Sequence, residues 1–423
     1  MRKTLISILI LIILWSATGC SPETEKTNPS SPVTAPVSGF SVNKASPAES
    51  NLPVGSALAV QESNNLFAFD LYHRIQAVPG NLFYSPFSIS TALTMVYAGT
   101  AGDTAGQMAG VLHLNRSDNT VNSKIRALQQ DLENRNSSEF TELSITNALW
   151  GEQSTIILSE YLQQMNAFYA AAFHTVDFTK ALESSREINQ WVSDNTHNHI
   201  QEFLQPESIE GATLVITNAV YFKAPWQFKF VKGTTDEVFY TLNGEQIRVP
   251  MMKHEVMTFK YIRGENYQAV DLPYQNTDLS MLVILPDEGQ FTDFENSLDN
   301  TRLNSILESL KKAAVILTMP KFEFESNYRL NDYLQALGMT DVFGPADFSG
   351  MTAQPGLFLT DVLHSTYISV DENGTEAAAG TGAIVASATK NSMVVNRPYL
   401  FLIRDNETGT IIFIGRVLNP ILE

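Results

Sequence analysis

Apolar positions in the first half of the chain follow a helical spacing. Phe67, Leu71 and Ile75 recur every four residues, which places them on one face of an amphipathic helix. Ser85 stands directly ahead of Pro86, and a capping serine followed by proline at the first helical position is typical of a helix start. Similar patterns predict a strand at 144–150 and further helices near 104–113, 121–134, 159–172 and 184–198.

From Thr213 onwards, strand-like runs replace the helical spacing. Helices near 301–311 and 328–338 interrupt these runs. A mostly helical first half followed by strands predicts an α+β fold rather than alternating α/β units. The runs that predict strands are 214–222, 270–272, 279–285, 314–319, 357–370 and 410–417.

The segment 371–389 has two properties that an ordinary folded segment does not combine. It is built almost entirely of small residues, which is typical of a flexible, exposed loop, and a surface linker is its plainer interpretation. It also alternates with a period of two, as a strand does. From Thr375 to Ala386 the only charged residue, Glu376, falls on one face, so the other face could be buried without desolvating a charge. That uncharged face would be Thr375, Ala377, Ala379, Thr381, Ala383 and Val385.

The N-terminus has the order of an export signal. Arg2 and Lys3 precede an apolar run, 5–15, that is shorter than the ~20 residues a membrane-spanning helix needs. Small residues and Cys20 follow, and Ala-Thr-Gly-Cys at 17–20 resembles the lipobox of secreted prokaryotic lipoproteins. We expect a lipoprotein-type signal peptide at 1–19 and a lipid on Cys20, the alternative being an ordinary cleaved signal with an incidental cysteine. The expected location is the cell envelope or surface through the lipid anchor, or the extracellular space.

The remaining chain divides into a tether and one folded domain. Residues 20–57 are rich in Ser, Pro, Thr and Asn without apolar periodicity, which predicts a disordered tether ahead of a domain at 58–423. The net charge of −18 disfavours nucleic acid and anionic lipid surfaces as partners, so membrane contact is expected only through the lipid. Cys20 is the only cysteine, which excludes an intramolecular disulfide, thiol catalysis and a cysteine-based metal site.

Motifs for catalysis or metal binding are absent from the sequence. It has no G-x-S-x-G, H-E-x-x-H or phosphate-binding loop, and no third ligand is suggested beside His197 and His199, so neither a metal nor a cofactor is expected. His364 could act as a base only with a nucleophile and an orienting acid, which leaves a hydrolase as a weak alternative. We instead expect His364 to join other polar residues in a structural cluster, since buried polar groups need partners. Those residues are Ser85, Ser88 and Asn218.

An ordered series of motifs runs across residues 58–421. The series begins with N-L-F-Y-S-P-F-S-I at 81–89, I-N-Q-W-V-S-D-N-T at 188–196, and T-N-A-V-Y-F-K at 217–223 with Trp226. It continues with D-L-P-Y at 271–274, L-S-M-L-V-I-L-P at 279–286, M-P-K-F at 319–322 and L-G-M-T-D-V-F at 337–343. It ends with A-D-F-S-G-M at 346–351, N-G-T-E-A-A-A at 373–379 and N-R-P-Y-L-F-L-I at 396–403. In this order the series resembles the serpins, a family of serine protease inhibitors.

The resemblance implies a fold and a mechanism. The fold would have about nine helices around three β-sheets and an exposed reactive-centre loop. A serine protease would cut that loop and be held as an acyl-enzyme while the loop inserts into the main sheet, a recognised case of strand addition. The protein would then be a monomeric inhibitor, not an enzyme, whose partner is a covalently bound serine protease.

The family's functional positions can be matched to this sequence. The hinge would be Glu372, Gly374, Thr375, Glu376, Ala377, Ala378, Ala379 and Gly380. Lys321 matches the basic partner of Glu372, near Trp226, and the polar cluster of Ser85, Ser88, Asn218 and His364 would lie beneath the opening of the sheet. Small residues in the hinge are those of inhibitory members, whereas non-inhibitory members often carry bulky, charged or proline residues there. A non-inhibitory binding or structural lipoprotein with the same fold is the alternative.

Two counts place the scissile bond one residue apart. Counting forward from the hinge puts the cut between Ala388 and Thr389, whereas counting back from 396–398 puts it between Ser387 and Ala388. Either count leaves a small, uncharged residue before the cut, which suits an elastase-type or subtilisin-type protease rather than a trypsin-like one. With scattered basic residues in 115–135 and an acidic chain, glycosaminoglycan activation is not expected.

Overall fold

The computed structural model describes residues 54–136, 141–169, 172–201, 203–375 and 391–421. Within them the helices are α1 (Val54–Ile75), α2 (Pro86–Tyr97), α3 (Gly102–Val111), α4 (Val121–Asn136), α5 (Ser159–Phe168), α6 (Ala181–Asn195), α7 (Phe291–Asn296), α8 (Asn300–Ser309) and α9 (Asn331–Leu337). Short 3₁₀ turns lie at Phe178–Lys180, Pro206–Ser208 and Asp341–Phe343. No helix in these ranges is both long and apolar enough to cross a membrane.

The strands of the described residues fall into two hydrogen-bonded sheets. The first seven are β1 (Leu82–Tyr84), β2 (Glu142–Glu152), β3 (Ala172–Val176), β4 (Leu214–Pro225), β5 (Val231–Tyr240), β6 (Gln246–Arg263) and β7 (Tyr267–Pro273). The others are β8 (Leu279–Pro286), β9 (Lys311–Pro320), β10 (Phe322–Arg329), β11 (Leu359–Val370), β12 (Gly374–Thr375), β13 (Asn391–Val394), β14 (Tyr399–Asp405) and β15 (Ile411–Val417).

The six-stranded main sheet has the order β10-β11-β12-β4-β2-β3. Its two central long strands, β4 and β11, run parallel and pair directly from Leu214 and Leu359 up to Val220 and Thr366. Beyond that point they separate, and the two residues of β12 lie between them, antiparallel to both. We call the place where β4 and β11 separate the fork.

The second sheet explains why the sheet count differs from the one the resemblance implies. Its nine strands are connected as β1-β15-β14-β8-β7-β6-β9-β13, with β5 also paired to β6. The long strand β6 pairs with β5 at one end, with β7 at the other and with β9 over most of the length between, so two of the three expected sheets share one continuous ladder. The expected fold class, α+β with helices around antiparallel-rich sheets, is confirmed.

Helices cover both faces of the main sheet. On the inner face, α2 is almost entirely buried, and its apolar side chains pack between the two sheets in one continuous core. Its start is the predicted one, because the hydroxyl of Ser85 accepts a hydrogen bond from the amide of Ser88 and Pro86 occupies the first helical position. On the outer face, α6 and the segment after it pack their apolar side on β4, with Val192 and Ile200 against Ala219.

Most predicted elements are present, with shifted ends. The helix predicted near 159–172 ends at Phe168, and the chain then forms the edge strand β3. Helix α1 begins at Val54, inside the expected tether at 20–57. The expected signal peptide, Cys20, most of the tether and the loop residues 376–390 lie outside the described residues.

Candidate functional site

Gly374 and Thr375 occupy the fork of the main sheet. Thr375 pairs with Val370 of β11 on one side and with Ala224 of β4 on the other. Its side chain is 1% exposed, so the chain enters the core of the protein at this residue. Residues 376–390, which follow it, lie outside the described residues. Strands β4 and β11 are therefore already separated by Thr375, the first residue of the segment that alternates like a strand.

Gly374 is required by the closeness of β4. A Cβ atom at this position would lie 2.2 Å from the carbonyl oxygen of Ala224 and 2.5 Å from the Cα of Pro225. Both contacts are with backbone atoms, which cannot move aside as a flexible side chain can. Glycine is thus the residue that allows the segment to enter between β4 and β11 at this depth.

Thr375 is held from below by an aromatic pair. Its hydroxyl lies 2.8 Å from the hydroxyl of Tyr274, whose ring stacks on Trp226 with centroids 4.7 Å apart. Burial raises the pKa of the Tyr274 phenol, so the phenol stays neutral and the pair buries no charge. Tyr274 belongs to the D-L-P-Y motif, but its contact with Thr375 could not be predicted from the motif, because that contact joins two sheets.

Trp226 and Asp371 fix the turn that precedes Thr375. The indole nitrogen of Trp226 donates to the carbonyl of Asp371 at 3.0 Å, and its backbone amide donates to the carbonyl of Asn373 at 2.9 Å. The Asp371 carboxylate accepts from the amides of Asn373 and Gly374 at 2.7 and 3.2 Å. In such a turn the aspartate side chain accepts hydrogen bonds from the amides that follow it. This orders the turn although the strand after it, β12, is only two residues long.

Lys321 and Glu372 form an ion pair next to this turn. The Lys321 ammonium lies 2.5 Å from the Glu372 carboxylate, with side chains 31% and 12% exposed. The carbonyl of Glu372 also accepts a hydrogen bond from the amide of Phe230 at 3.0 Å. The pair therefore joins the segment that enters the fork to the junction of β9 and β10, and removing either partner would leave a half-buried charge.

His364, Ser85, Ser88 and Asn218 are brought together beneath the fork, on the inner face of the main sheet. The Nε2 atom of His364 accepts a hydrogen bond from the amide of Ser85 at 3.0 Å. Its Nδ1 atom must then carry the proton, and it donates to the side-chain oxygen of Asn218. Both ring nitrogens are thus used by structural partners, which argues against the hydrolase alternative.

Asn218 extends the cluster to β2 and α2. Its amide nitrogen donates to the hydroxyl of Ser88 and to the side-chain oxygen of Asn147, which the sequence analysis did not single out. The hydroxyl of Ser85 donates to the carbonyl of Ile412 at 2.7 Å. All five side chains are buried, and His364 and Asn218 face each other on β11 and β4. The direct pairing of the two strands is therefore reinforced by one side-chain hydrogen bond.

Burial lowers the pKa of His364 to about 3. Between an ordinary pKa of about 6.5 and that value, the unfolded chain binds a proton that the folded chain does not. Stability should therefore fall as the pH falls from 6.5, by up to about 1.4 kcal/mol for each pH unit. His254, whose pKa burial lowers to about 4, adds to the same slope.

The measurement is the midpoint of thermal unfolding between pH 7.5 and pH 5 for the wild type and for His364→Gln. At pH 7.5 the melting temperature of the variant should be lower than that of the wild type, because the substitution disturbs the cluster. On acidification its melting temperature should fall less, because one buried imidazole is gone. Equal acid slopes in the two proteins would contradict the assignment. His254→Gln should also reduce the fall of melting temperature on acidification, independently of His364, because it removes the second buried imidazole.

His197 and His199 both lie against Tyr221 on the outer face of the main sheet, and no group of three or more His, Cys, Asp or Glu side chains in the described residues could hold a metal. The hinge residues Glu376, Ala377, Ala378, Ala379 and Gly380, the scissile candidates Ser387, Ala388 and Thr389, and the lipidation candidate Cys20 lie outside the described residues.

The main sheet thus has two central parallel strands that separate around Gly374 and Thr375. Residues 62–420 match the family model described as serpin (serine protease inhibitor), so the chain belongs to the serpin family. A serpin-like, uncharacterised protein of Thermococcus kodakarensis is 38% identical over 99% of both chains. The leukocyte elastase inhibitor of Xenopus laevis is 38% identical over 84% of this chain and 97% of that protein.

Solved structures share the fold. Human thyroxine-binding globulin in complex with its hormone is 28% identical and superposes with a TM-score of 0.78, over 86% of this chain and 99% of that one. Uncleaved ovalbumin is 26% identical, with a TM-score of 0.77 over 86% of this chain and 100% of that one. The family as a whole, and the elastase inhibitors among the relatives, support protease inhibition as the general activity, without enzymatic function.

Proposed function

We propose that the protein inhibits serine proteases by trapping them as acyl-enzymes. The protease serine attacks the carbonyl of the residue before the cut, forming an ester and releasing the amine of the residue after it. The freed loop then enters the main sheet between β4 and β11, behind Thr375. The observation that carries this proposal is that Gly374 and Thr375 already lie between these two strands.

The register at the fork supports full insertion. Extending the pairing of Thr375 with Ala224 and Val370 in steps of two would place Ala377, Ala379, Thr381, Ala383 and Val385 on the inner face of the sheet. None of these residues is charged, so none has to be stripped of a strongly held water shell. About a dozen new ladder hydrogen bonds at ~1 kcal/mol each would supply on the order of 10 kcal/mol.

Insertion must also part the strands below the fork. There β4 and β11 are hydrogen-bonded directly, and His364 and Asn218 are bonded across them. The intact protein would thus be held in a state that the cut loop can replace by a better-paired one. The barrier between the two states would decide whether the acyl-enzyme is trapped or hydrolysed, and ~1.4 kcal/mol on that barrier changes the ratio about tenfold.

The proposed targets are elastase-type and subtilisin-type proteases. The residue before the cut is Ala388, or Ser387 on the alternative count, and both are small and uncharged. A shallow pocket accepts such a residue, whereas a trypsin-like pocket needs a cation. Leukocyte elastase inhibitors among the relatives support this choice.

Incubation of residues 52–423 with an elastase-type and a trypsin-type serine protease tests the proposal. We expect a band near the summed mass on a denaturing gel with the elastase-type enzyme and none with the trypsin-type enzyme. Cleavage of the loop without any such band would contradict trapping and favour the alternative, a non-inhibitory binding or structural protein. Mass spectrometry of the released fragment assigns the cut to Ala388–Thr389 or Ser387–Ala388.

We further propose export and a lipid anchor on Cys20, with the domain acting as a monomer outside the membrane. The support is the order of basic, apolar and small residues ahead of Cys20 and the polar composition that follows it. Mass spectrometry of the N-terminal peptide from the membrane fraction would show a diacylated Cys20. An unmodified peptide that starts elsewhere would favour the ordinary signal.

A further inference from the structure

An imidazole lies across the fork on the outer face of the main sheet. Tyr221 of β4 and Tyr367 of β11 come one residue after Val220 and Thr366, the last directly paired residues of the two strands. The ring of His199 stacks on both tyrosines, with interplanar angles of 18° and centroid distances of 5.5 Å to Tyr221 and 4.5 Å to Tyr367. His199 therefore joins β4 to β11 where the strands begin to separate.

A tight turn after α6 presents His199 to the sheet. The hydroxyl of Thr196 donates to the carbonyl of Val192 at 2.8 Å and accepts from the amide of Ile200 at 3.3 Å. His197 and Asn198 adopt left-handed backbone angles, with φ of 51° and 64°, a region in which His and Asn are enriched among residues other than glycine. The two residues thus form the turn that places the imidazole of His199 beside the two rings.

Tyr367 is also fixed from the neighbouring strand. Its hydroxyl donates to the carboxylate of Glu323 on β10 at 2.7 Å. If β11 moves away from β4, Tyr367 therefore moves with β11 and β10 as one layer. Tyr221 stays with β4, because its strand pairs with β2 along most of its length.

A strand inserted at this level would pull the two tyrosines apart. Adjacent strands lie about 4.8 Å apart, so a new strand between β4 and β11 would add about that distance between their outer-face side chains. His199 now touches both rings at ordinary stacking distance and cannot span the wider gap. At least one of its two ring contacts has to break before the inserted strand extends past Tyr221 and Tyr367.

We propose that His199, Tyr221 and Tyr367, which we call the aromatic clamp, hold the fork closed and set the rate of strand insertion. The inference rests on the proposed trapping mechanism, since it concerns the step on which trapping depends. His199 is a positioning residue here, because it acts through the two strands and touches neither the protease nor the scissile bond.

The test uses a synthetic peptide with the sequence of residues 375–386, which can occupy the gap without any protease. Its incorporation is followed by native gel mobility in the wild type, His199→Ala, His199→Phe and His197→Ala. His197 is the matched control, because its ring contacts Tyr221 on β4 and pairs with Glu142 on β2, away from β11. It shares the left-handed turn, so its variant reports any loosening of the turn itself.

We expect His199→Ala to take up the peptide about fivefold faster than the wild type, since one stacking contact no longer opposes opening. His199→Phe, which keeps a planar ring, should restore the slow rate, and His197→Ala should match the wild type. His199→Ala should lower the melting temperature of the peptide-filled protein by less than that of the peptide-free protein, because at least one of the two ring contacts is already broken in the filled state.

Several outcomes would overturn the clamp. An unchanged rate in His199→Ala, an equal acceleration in His197→Ala, or an equal loss of stability in the peptide-filled form would each assign His199 a merely structural role. If the protein traps no protease but takes up the peptide at a rate that depends on His199, the proposed function is wrong and the aromatic clamp is supported. If no variant takes up the peptide, no strand can enter at the fork and both inferences fail.

Discussion

Replacing Thr375 by arginine is expected to convert the protein from an inhibitor into a substrate. Thr375 is buried at the fork, with its hydroxyl on Tyr274 and both neighbouring strands paired to its backbone. A guanidinium at this position would lose its water without gaining a carboxylate partner, which costs several kcal/mol. In the intact protein the arginine side chain would leave the fork for solvent, so this cost is met when the loop inserts. Since each ~1.4 kcal/mol on the insertion barrier changes the ratio of trapping to hydrolysis about tenfold, trapping should fall by at least about a hundredfold.

The measurement is the ratio of cleaved protein to covalent complex after reaction with an elastase-type protease. Thr375→Val is the control, because it keeps the shape of the side chain and loses only the hydrogen bond to Tyr274. It should still trap the protease, whereas Thr375→Arg should be cleaved completely without a complex. Complex formation by Thr375→Arg at the wild-type ratio would show that burial of this residue is not needed for trapping.

The strands that meet the loop could be predicted because β4 is a largely apolar run and β11 is rich in β-branched and aromatic residues. In β4 and β11 both faces are covered, by the core on one side and by α6 on the other, so their residues are buried almost throughout. By contrast, β5 and β6 were missed, because one face of each is exposed and carries charges such as Glu237 and Lys260. Their strand structure follows from pairing with each other and with β9 rather than from an apolar run.

The candidate site could be predicted only where its residues are close in sequence or matched by family resemblance. The alternation that begins at Thr375 is visible in the chain itself, and the pairing of Lys321 with Glu372 came from the resemblance. Neither source indicates that Tyr274 contacts Thr375, that Asn147 completes the polar cluster, or that β4 approaches Gly374 so closely. These contacts join residues that only the strand order of the sheets brings together.

The inner and outer faces of the fork oppose insertion in different ways. On the inner face, the hydrogen bond between His364 and Asn218 is buried and would need new partners once the strands part. On the outer face, the aromatic clamp gives up stacking contacts of the partly exposed rings of His199 and Tyr367, with Tyr221 buried, which is a smaller loss. A change at His364 should therefore alter the stability of the intact protein, whereas a change at His199 should mainly alter the rate of opening.

Cleavage of the loop is expected to make the protein much more stable to heat. Among the described residues, Gly374 and Thr375 lie between β4 and β11, and below the fork these two strands pair directly with each other. A cut loop is free to continue from Thr375 as a full strand, with on the order of 10 kcal/mol available from new hydrogen bonds. For a domain of this size that gain should raise the melting temperature by at least about 10 °C.

Calorimetry of the intact protein and of protein cut quantitatively in the loop by a cysteine protease, which is then removed, measures this gain. Thr375→Arg, cut in the same way, is the matched control, because its chain is equally nicked but should not insert past the fork. Its melting temperature should therefore rise little after cleavage. A rise in the wild type alone is then due to strand insertion and not to the relief of a strained loop, which both proteins share. Equal melting temperatures for intact and cut wild-type protein would mean that the loop does not insert, and trapping would then have no driving force.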